Sequence, residues 1–497
     1  MRRVLTLGIV ASWVVLLALL VRKQAPTELA ASAPLPATAI AARDEWFGVY
    51  KDDRKIGHAH RVVTPRDGGY TFSEESTVTL AMLGTAQTLR SSLSADTDAR
   101  YALRKFRFVL ETPATTFTAD GTSDDHTLRA RYGPRGQEAD LVLPLTEPIA
   151  LPSTLRPRVL AENPPAGTRY TLPVFSPMTA SREPLTIVIE GSERLRTRDG
   201  TVETTRIAEE HQSVRTRAWI DGAGDVVREE AALGFTLERE PRERALAGVD
   251  GAAPVDLVAA TGIPLTGERS ALADPRALTA LTMRVTGEAA PTIPDSPPRQ
   301  TRRADLLRIR TEAMPSEAPP PIGPDADGGA ARRALAASPF VESEDPAIRA
   351  EAKRIAGDAT DPRTVARRLV AWVHDAVEKA PSVTVPSARE VLASRRGDCN
   401  EHAVLLAALA RAAGIPARVI AGAVYANDGF YYHAWNELWL GAWVSADAVF
   451  DQIPADATHV KLIEGGLEQQ MALAGIIGRL AFAVVEETPD DPVHRAP

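Results

Sequence analysis

Cys399 is the single cysteine of the 497-residue chain, and it stands where a loop runs into a long apolar helix. Ala403 to Ala413 is mostly alanine and leucine, so the thiol falls in the first helical turn. There, unpaired N–H groups and the positive end of the helix dipole favour a thiolate. A lone cysteine is ordinarily a small buried hydrophobe; the residues that follow this one argue for a nucleophile. His433 and Asp447 lie on two runs that read as strands, Phe430 to Leu438 and Ala442 to Phe450, joined by a turn at Trp439-Leu440-Gly441. If Gly441 closes a three-residue loop in the left-handed conformation, Leu438 faces Ala442 and His433 faces Asp447. Directly opposed side chains have Cβ atoms roughly 4.5 to 5.5 Å apart, close enough for the carboxylate to accept the imidazole N–H and orient the ring. A slip of one residue would put the pair on opposite faces. The chemistry such a set performs is nucleophilic attack by a thiolate–imidazolium pair.

These side chains need elements that hold them. Gly414-Ile-Pro-Ala-Arg418 stops the nucleophile helix, and Val419 to Tyr425 reads as a buried strand. Upstream, Asp345 to Ala356 and Pro362 to Lys379 have helical periodicity, with Val365, Leu369, Trp372, Val373 and Val377 on one side. Downstream, Leu467 to Leu480 reads as a helix and Ala481 to Glu486 as a last strand. A rival use of Cys399, His402, His433 and Asp447 as four metal ligands is disfavoured, because structural zinc sites favour several cysteines. No metal and no cofactor are expected. His402 reads as a polar neighbour of the cleft or a satisfied interior histidine, His58 and His60 as exposed strand residues, and His459 and Asp451 as residues shaping a substrate rim. Tyr425, Phe430, Tyr431 and Tyr432 either line the cleft or pack beneath it.

Gly397-Asp-Cys399 before an Ala/Leu helix, Arg411-Ala-Ala-Gly-Ile-Pro-Ala-Arg418, Tyr432-His433-Ala-Trp-Asn-Glu437, and Trp443 followed by Asp447 together resemble the transglutaminase-like (papain-like cysteine) superfamily in its bacterial form. The resemblance covers roughly residues 340 to 487. It implies Cys399 as nucleophile, His433 as base and Asp447 as orienter, forming a thioester with an amide carbonyl. Water as acceptor gives proteolysis or amide hydrolysis, and an amine gives transfer. Where such domains often read Asp-Pro-Thr, this chain has Asp447-Ala-Val. The animal enzymes' oxyanion-stabilising tryptophan has four counterparts here, Trp372, Trp435, Trp439 and Trp443, each equally suited to the core. Trp435, Tyr432 and His402 are the candidate substrate-binding residues.

Met1-Arg-Arg, then eighteen uncharged residues from Val4 to Val21, then Arg22-Lys23, read as a membrane anchor. At 1.5 Å per residue the run spans roughly 27 Å, near the thickness of a bilayer's hydrocarbon core. Ala31-Ser-Ala33 offers a cleavage site, but far past the apolar run. The charged start should stay in the cytoplasm, leaving the bulk in the periplasm or another extracytoplasmic space beside the inner membrane. No cysteine closely follows the segment, which excludes lipoprotein anchoring, and one cysteine allows no internal disulfide. A net charge of −8 with dispersed Lys and Arg argues against nucleic acid. The expected class is α+β: an anchor at 1–23, a linker at 24–43, an antiparallel β-rich domain at 44–285, a Pro-rich linker at 286–338, a transglutaminase-like domain at 339–487 and a tail at 488–497. Leu278 to Val285 is expected to finish the β domain. A protein or peptide substrate is implied, with an envelope partner for the β domain. The alternative to an enzyme is an envelope assembly or binding protein on the same fold.

Overall fold

The computed structural model describes residues 40–489 apart from 83, 162–163, 212–213, 249–253, 268–270, 318–328, 381–386 and 427. The anchor at 1–23, nearly all of the spacer, most of the tail and the Pro319–Pro324 run lie outside the described residues. No helix among the described residues is long and apolar enough to cross a membrane.

Alternating side chains build the N-terminal part. In Thr127–Pro134, for example, Leu128, Ala130 and Tyr132 are buried while Arg129 and Arg131 face out. Fourteen such strands form one antiparallel sheet. Eight run in sequence order from Arg43–Lys51 to the edge at Ala139–Pro144. The other six run from the opposite edge, Arg169–Ser176, back to Phe235–Arg239, which pairs with Arg43–Lys51. Helix Pro152–Ala161 places Leu155 and Val159 against Leu172, Val174, Ile187 and Ile207. Its Arg156 reaches the buried carboxylates of Glu209 (2.5 Å) and Glu229 (2.9 Å).

Leu278–Thr286 does not finish this sheet. It pairs with Leu306–Arg310 on one side and with Ala481–Pro489 on the other, in a separate four-stranded sheet completed by Gln300–Arg303. Its apolar face of Leu281, Met283 and Val285 covers Tyr425, Phe430 and Val460 of the sheet that carries His433, which would otherwise be bare. The span expected as a Pro-rich linker is therefore in part a layer of the C-terminal fold. Arg299 shows this: 4% exposed, it donates to the Glu312 carboxylate (2.6 Å), the Ser445 hydroxyl (3.0 Å) and the carbonyls of Ala455 (3.1 Å) and Asp456 (2.6 Å).

The sheet that carries His433 holds Trp443–Ala446, Gly429–Trp439, Ala417–Ala426 and Val460–Glu464 in that spatial order. Over it lie helices Pro346–Ala356, Pro362–Ala376 and Ala388–Ser394, packed round the central helix Cys399–Ala412. Val365, Leu369 and Val373 are buried there as their spacing predicts. The expected helix Leu467–Leu480 is confined to Leu467–Gln470 and a following 3-10 turn. The described chain is mostly β, with its longer helices gathered around the nucleophile; the α+β expectation overstated the helical share.

Candidate active site

Cys399 opens its helix behind a double cap. Asp398 accepts the Asn400 N–H (3.0 Å), and the Glu401 carboxylate returns to the Asp398 N–H (3.0 Å). Glycine is required before it, since a Cβ at Gly397 would lie 2.2 Å from the Glu401 Cβ. From Glu401 to Ala410 every residue of the helix is buried. Asn436 of the histidine strand donates to the Ala403 carbonyl (2.9 Å), tying that strand to the nucleophile helix.

The hairpin turns one residue later than its spacing suggests. Trp439 pairs with Trp443 and Leu438 with Val444, so the loop is Leu440-Gly441-Ala442, with Gly441 at φ 99°. The register moves by two residues, which preserves the face: continued past Ala446, the pairing sets Asp447 across from Trp435, two along from His433. Asp447 then leaves the ladder into a loop bridged to Gln452, and its Oδ2 lies 2.7 Å from His433 Nε2. Oδ1 accepts the N–H groups of Val449 (2.7 Å) and Phe450 (3.4 Å). Burial alone would raise the Asp447 carboxyl, but His433 and then His459 hold it far below the usual carboxylate range.

His459 does not shape a rim. It is fully buried behind the aspartate, with Nε2 2.8 Å from the same Oδ2 and Nδ1 3.3 Å from Asp456 Oδ1. Burial lowers the basicity of this ring; hydrogen bonds to Asp447 and Asp456 outweigh that and raise it. Asp456 is paired in turn with Arg276 (2.6 Å).

The expected thiolate is corrected. Burial, then the negative charges of Asp398, Glu401 and Asp447, push the Cys399 thiol well up, against a hydrogen bond from the Ala434 backbone. Two carboxylates in the very turn that caps the helix offset the favourable end of its dipole. Both effects disfavour the thiolate.

Of the three candidate substrate-binding residues, Tyr432 is half-buried beside the start of the nucleophile helix. Its hydroxyl lies 3.2 Å from Asn400 Oδ1 and 3.0 Å from Gln470 Oε1, and its ionisation is suppressed first by burial and then by Cys399. Trp435 is 1% exposed and walls the histidines from inside, its ring 6.2 Å from His433 and 5.2 Å from His459. His402 is equally buried; Nδ1 bonds the Asp398 carbonyl (2.6 Å) and burial lowers its basicity, which makes it an interior histidine. Tyr425 and Phe430 pack beneath the site. Sequence reasoning passed over Phe450, half-buried with its ring 5.4 Å from His433 and the Arg276 guanidinium 4.2 Å from its centre. Glu437 is paired with Lys461 (3.0 Å) and Arg418 (2.9 Å). His58 and His60, expected exposed, are half-buried beside Trp46.

Donor atoms of His433, Asp447 and His459 lie within 4.8 Å of one another. Both imidazoles already sit at hydrogen-bond distance from one carboxylate oxygen, so the trio is a hydrogen-bonded chain.

Residues 349–448 match the Transglutaminase-like superfamily, a span that contains Cys399, His433 and Asp447 and stops before His459. No curated protein matches the chain. Among solved structures, a candidate cysteine protease from Cytophaga hutchinsonii is 16% identical with a TM-score of 0.29, over 43% of this chain and 85% of that one. A β-barrel-like protein of a domain family of unknown function from Brucella abortus is 12% identical with a TM-score of 0.32, over 41% and 96%. A candidate protease from Parabacteroides distasonis is 10% identical with a TM-score of 0.19, over 75% and 66%. The C-terminal part of this chain carries a transglutaminase-like domain.

Proposed function

We propose that this protein is a membrane-anchored, extracytoplasmic enzyme whose Cys399 attacks amide bonds of a protein or peptide. The observation that carries the reading is the His433–Asp447 bond beside a cysteine at a helix start. Because the thiolate is disfavoured, proton transfer accompanies attack: Sγ bonds the carbonyl carbon as its proton passes to His433, and the imidazolium then protonates the departing amine. A thioester remains. Water releases an acid, and an amine acceptor gives a new amide. Asp447 holds the ring through Nε2, and the Cys399 N–H supplies one oxyanion donor. Tyr432 and Phe450 flank the entering substrate. The disfavoured thiolate is also what favours the second reading, an envelope assembly or binding protein in which this fold does not turn over.

Alkylation separates the two, since iodoacetamide has only one cysteine to find. A thiol raised above its ordinary value is thiolate only at higher pH, so the rate should climb with an inflection above that of free cysteine, roughly 8.5. At neutral pH, alkylation should slow in His433→Ala, where no base accepts the proton. Equal rates in both proteins would favour the binding-protein reading.

The location rests on the sequence of residues 1–42. Alkaline phosphatase fused after Ala42 should be active in a bacterial host; an inactive fusion, with a fluorescent cytoplasmic reporter at the same place, would overturn the topology.

A further inference from the structure

Five charged or titratable side chains form an unbroken series behind the thiol: Arg276, Asp456, His459, Asp447 and His433. Consecutive members are 2.6, 3.3, 2.8 and 2.7 Å apart. They come from four places in the fold. Arg276 precedes the strand that pairs with Ala481–Pro489, Asp456 and His459 sit in the loop entering Val460–Glu464, Asp447 leaves the hairpin, and His433 lies mid-strand. His459 is the central link. It is fully buried, and both ring nitrogens are spent on carboxylates, so it meets no substrate.

Its bond acts on the oxygen that His433 uses. After Ala446 the aspartate is off the ladder: Oδ1 is held by the Val449 and Phe450 N–H groups, and Oδ2 meets His433. A second donor on Oδ2, from the loop entering Val460–Glu464, fixes the carboxylate on that side as well. Asp456 fixes the ring of His459, and Thr458 holds Asp456 through backbone and hydroxyl (2.8 and 2.6 Å). Arg276 reaches Asp456 and also the Tyr425 carbonyl. Hydrogen-bonding cations or rings alternate with carboxylates along the series, so each inner link is held from both sides.

We propose that His459 is a positioning residue for the catalytic pair: bridging Asp447 and Asp456, it holds the Asp447 carboxylate in the orientation that aims His433 at Cys399. The proposal rests on the enzymatic reading above, and its test is built so that the two fail separately. The probe is iodoacetamide alkylation of Cys399 in the whole chain, with turnover of an amide substrate as a second readout. His459→Ala should slow alkylation toward the His433→Ala rate. It should also lower kcat roughly 10- to 100-fold, the scale seen when an outer hydrogen-bond partner of an orienting ligand is lost, with KM nearly unchanged. His459→Gln, whose amide N–H can occupy the place of Nε2, should restore most of both. Asp456→Asn, one link further out, should give a smaller loss of the same kind. If wild type and His433→Ala alkylate alike, the enzymatic reading fails. If they differ while folded His459→Ala matches wild type, the positioning role is overturned. Equal losses of rate in the Ala and Gln variants, tracking equal losses of Tm, would also overturn it, leaving a purely structural histidine.

Discussion

Cys399→Ala is expected to lower amide turnover by roughly 10⁴-fold or more, and His433→Ala by a similar factor, with the double variant scarcely worse than either. The nucleophile and its base act in one step, and loss of either removes that step. Asp447→Asn should cost less, roughly 10²- to 10⁴-fold, since the base survives but loses its orientation and tautomer. The fold should survive Cys399→Ala, because the helix start is held by Asp398 and Glu401 rather than by the thiol. Turnover of peptide amides, measured with and without an added amine, tests this and separates hydrolysis from transfer. A Cys399→Ala protein with undiminished turnover would remove the thiol from the mechanism.

Arg299→Ala should destabilise the protein by about 3–5 kcal/mol, because it strands the Glu312 carboxylate, which is 7% exposed, without its charge partner. The carbonyls of Ala455 and Asp456 lose a donor at the same time. Urea unfolding measures the loss. The pair Arg299→Met with Glu312→Leu should recover part of it, since no unpaired charge is left buried. A shift under about 1 kcal/mol for Arg299→Ala would mean that the segment is a linker after all, packed loosely on the catalytic sheet.

The site was legible where chemistry is written in local spacing. A cysteine before an Ala/Leu run announces a helix start, and His433 and Asp447 flanking a glycine turn announce a shared face. The turn fell one residue later than expected, yet two residues of register shift return every side chain to its face, so the pair survived. What the sequence hid was held at long range. His459 comes near Asp447 only after the loop through Gln452 folds back, and no periodicity records that. The disfavouring of the thiolate needed the positions of Asp398 and Glu401 around the cap.

The large sheet was half legible. Apolar side chains mark a strand such as Gly69–Met82, but Thr85–Asp98 and Gly200–His211 are rich in Thr, Ser, Arg and Glu, and they are strands because neighbours on both sides pair with them. Leu278–Thr286 was recognised as a strand and assigned to the wrong sheet. Its partner, Ala481–Pro489, lies beyond the whole catalytic core in sequence, and a propensity argument cannot choose between two distant partners.

That pairing also sets a timetable. Met283 faces Val484 across the entire catalytic fold, a contact whose closure entropy must be met before it returns any stability, and folds rich in such contacts form slowly. A chain grows from its N-terminus, so the large meander, built from sequential neighbours, can assemble while synthesis continues. The layer behind Phe430 waits for Ala481–Pro489 to emerge. Until then the nucleophile helix rests on an unfinished sheet, and the newborn polypeptide is scaffold first and reagent afterwards.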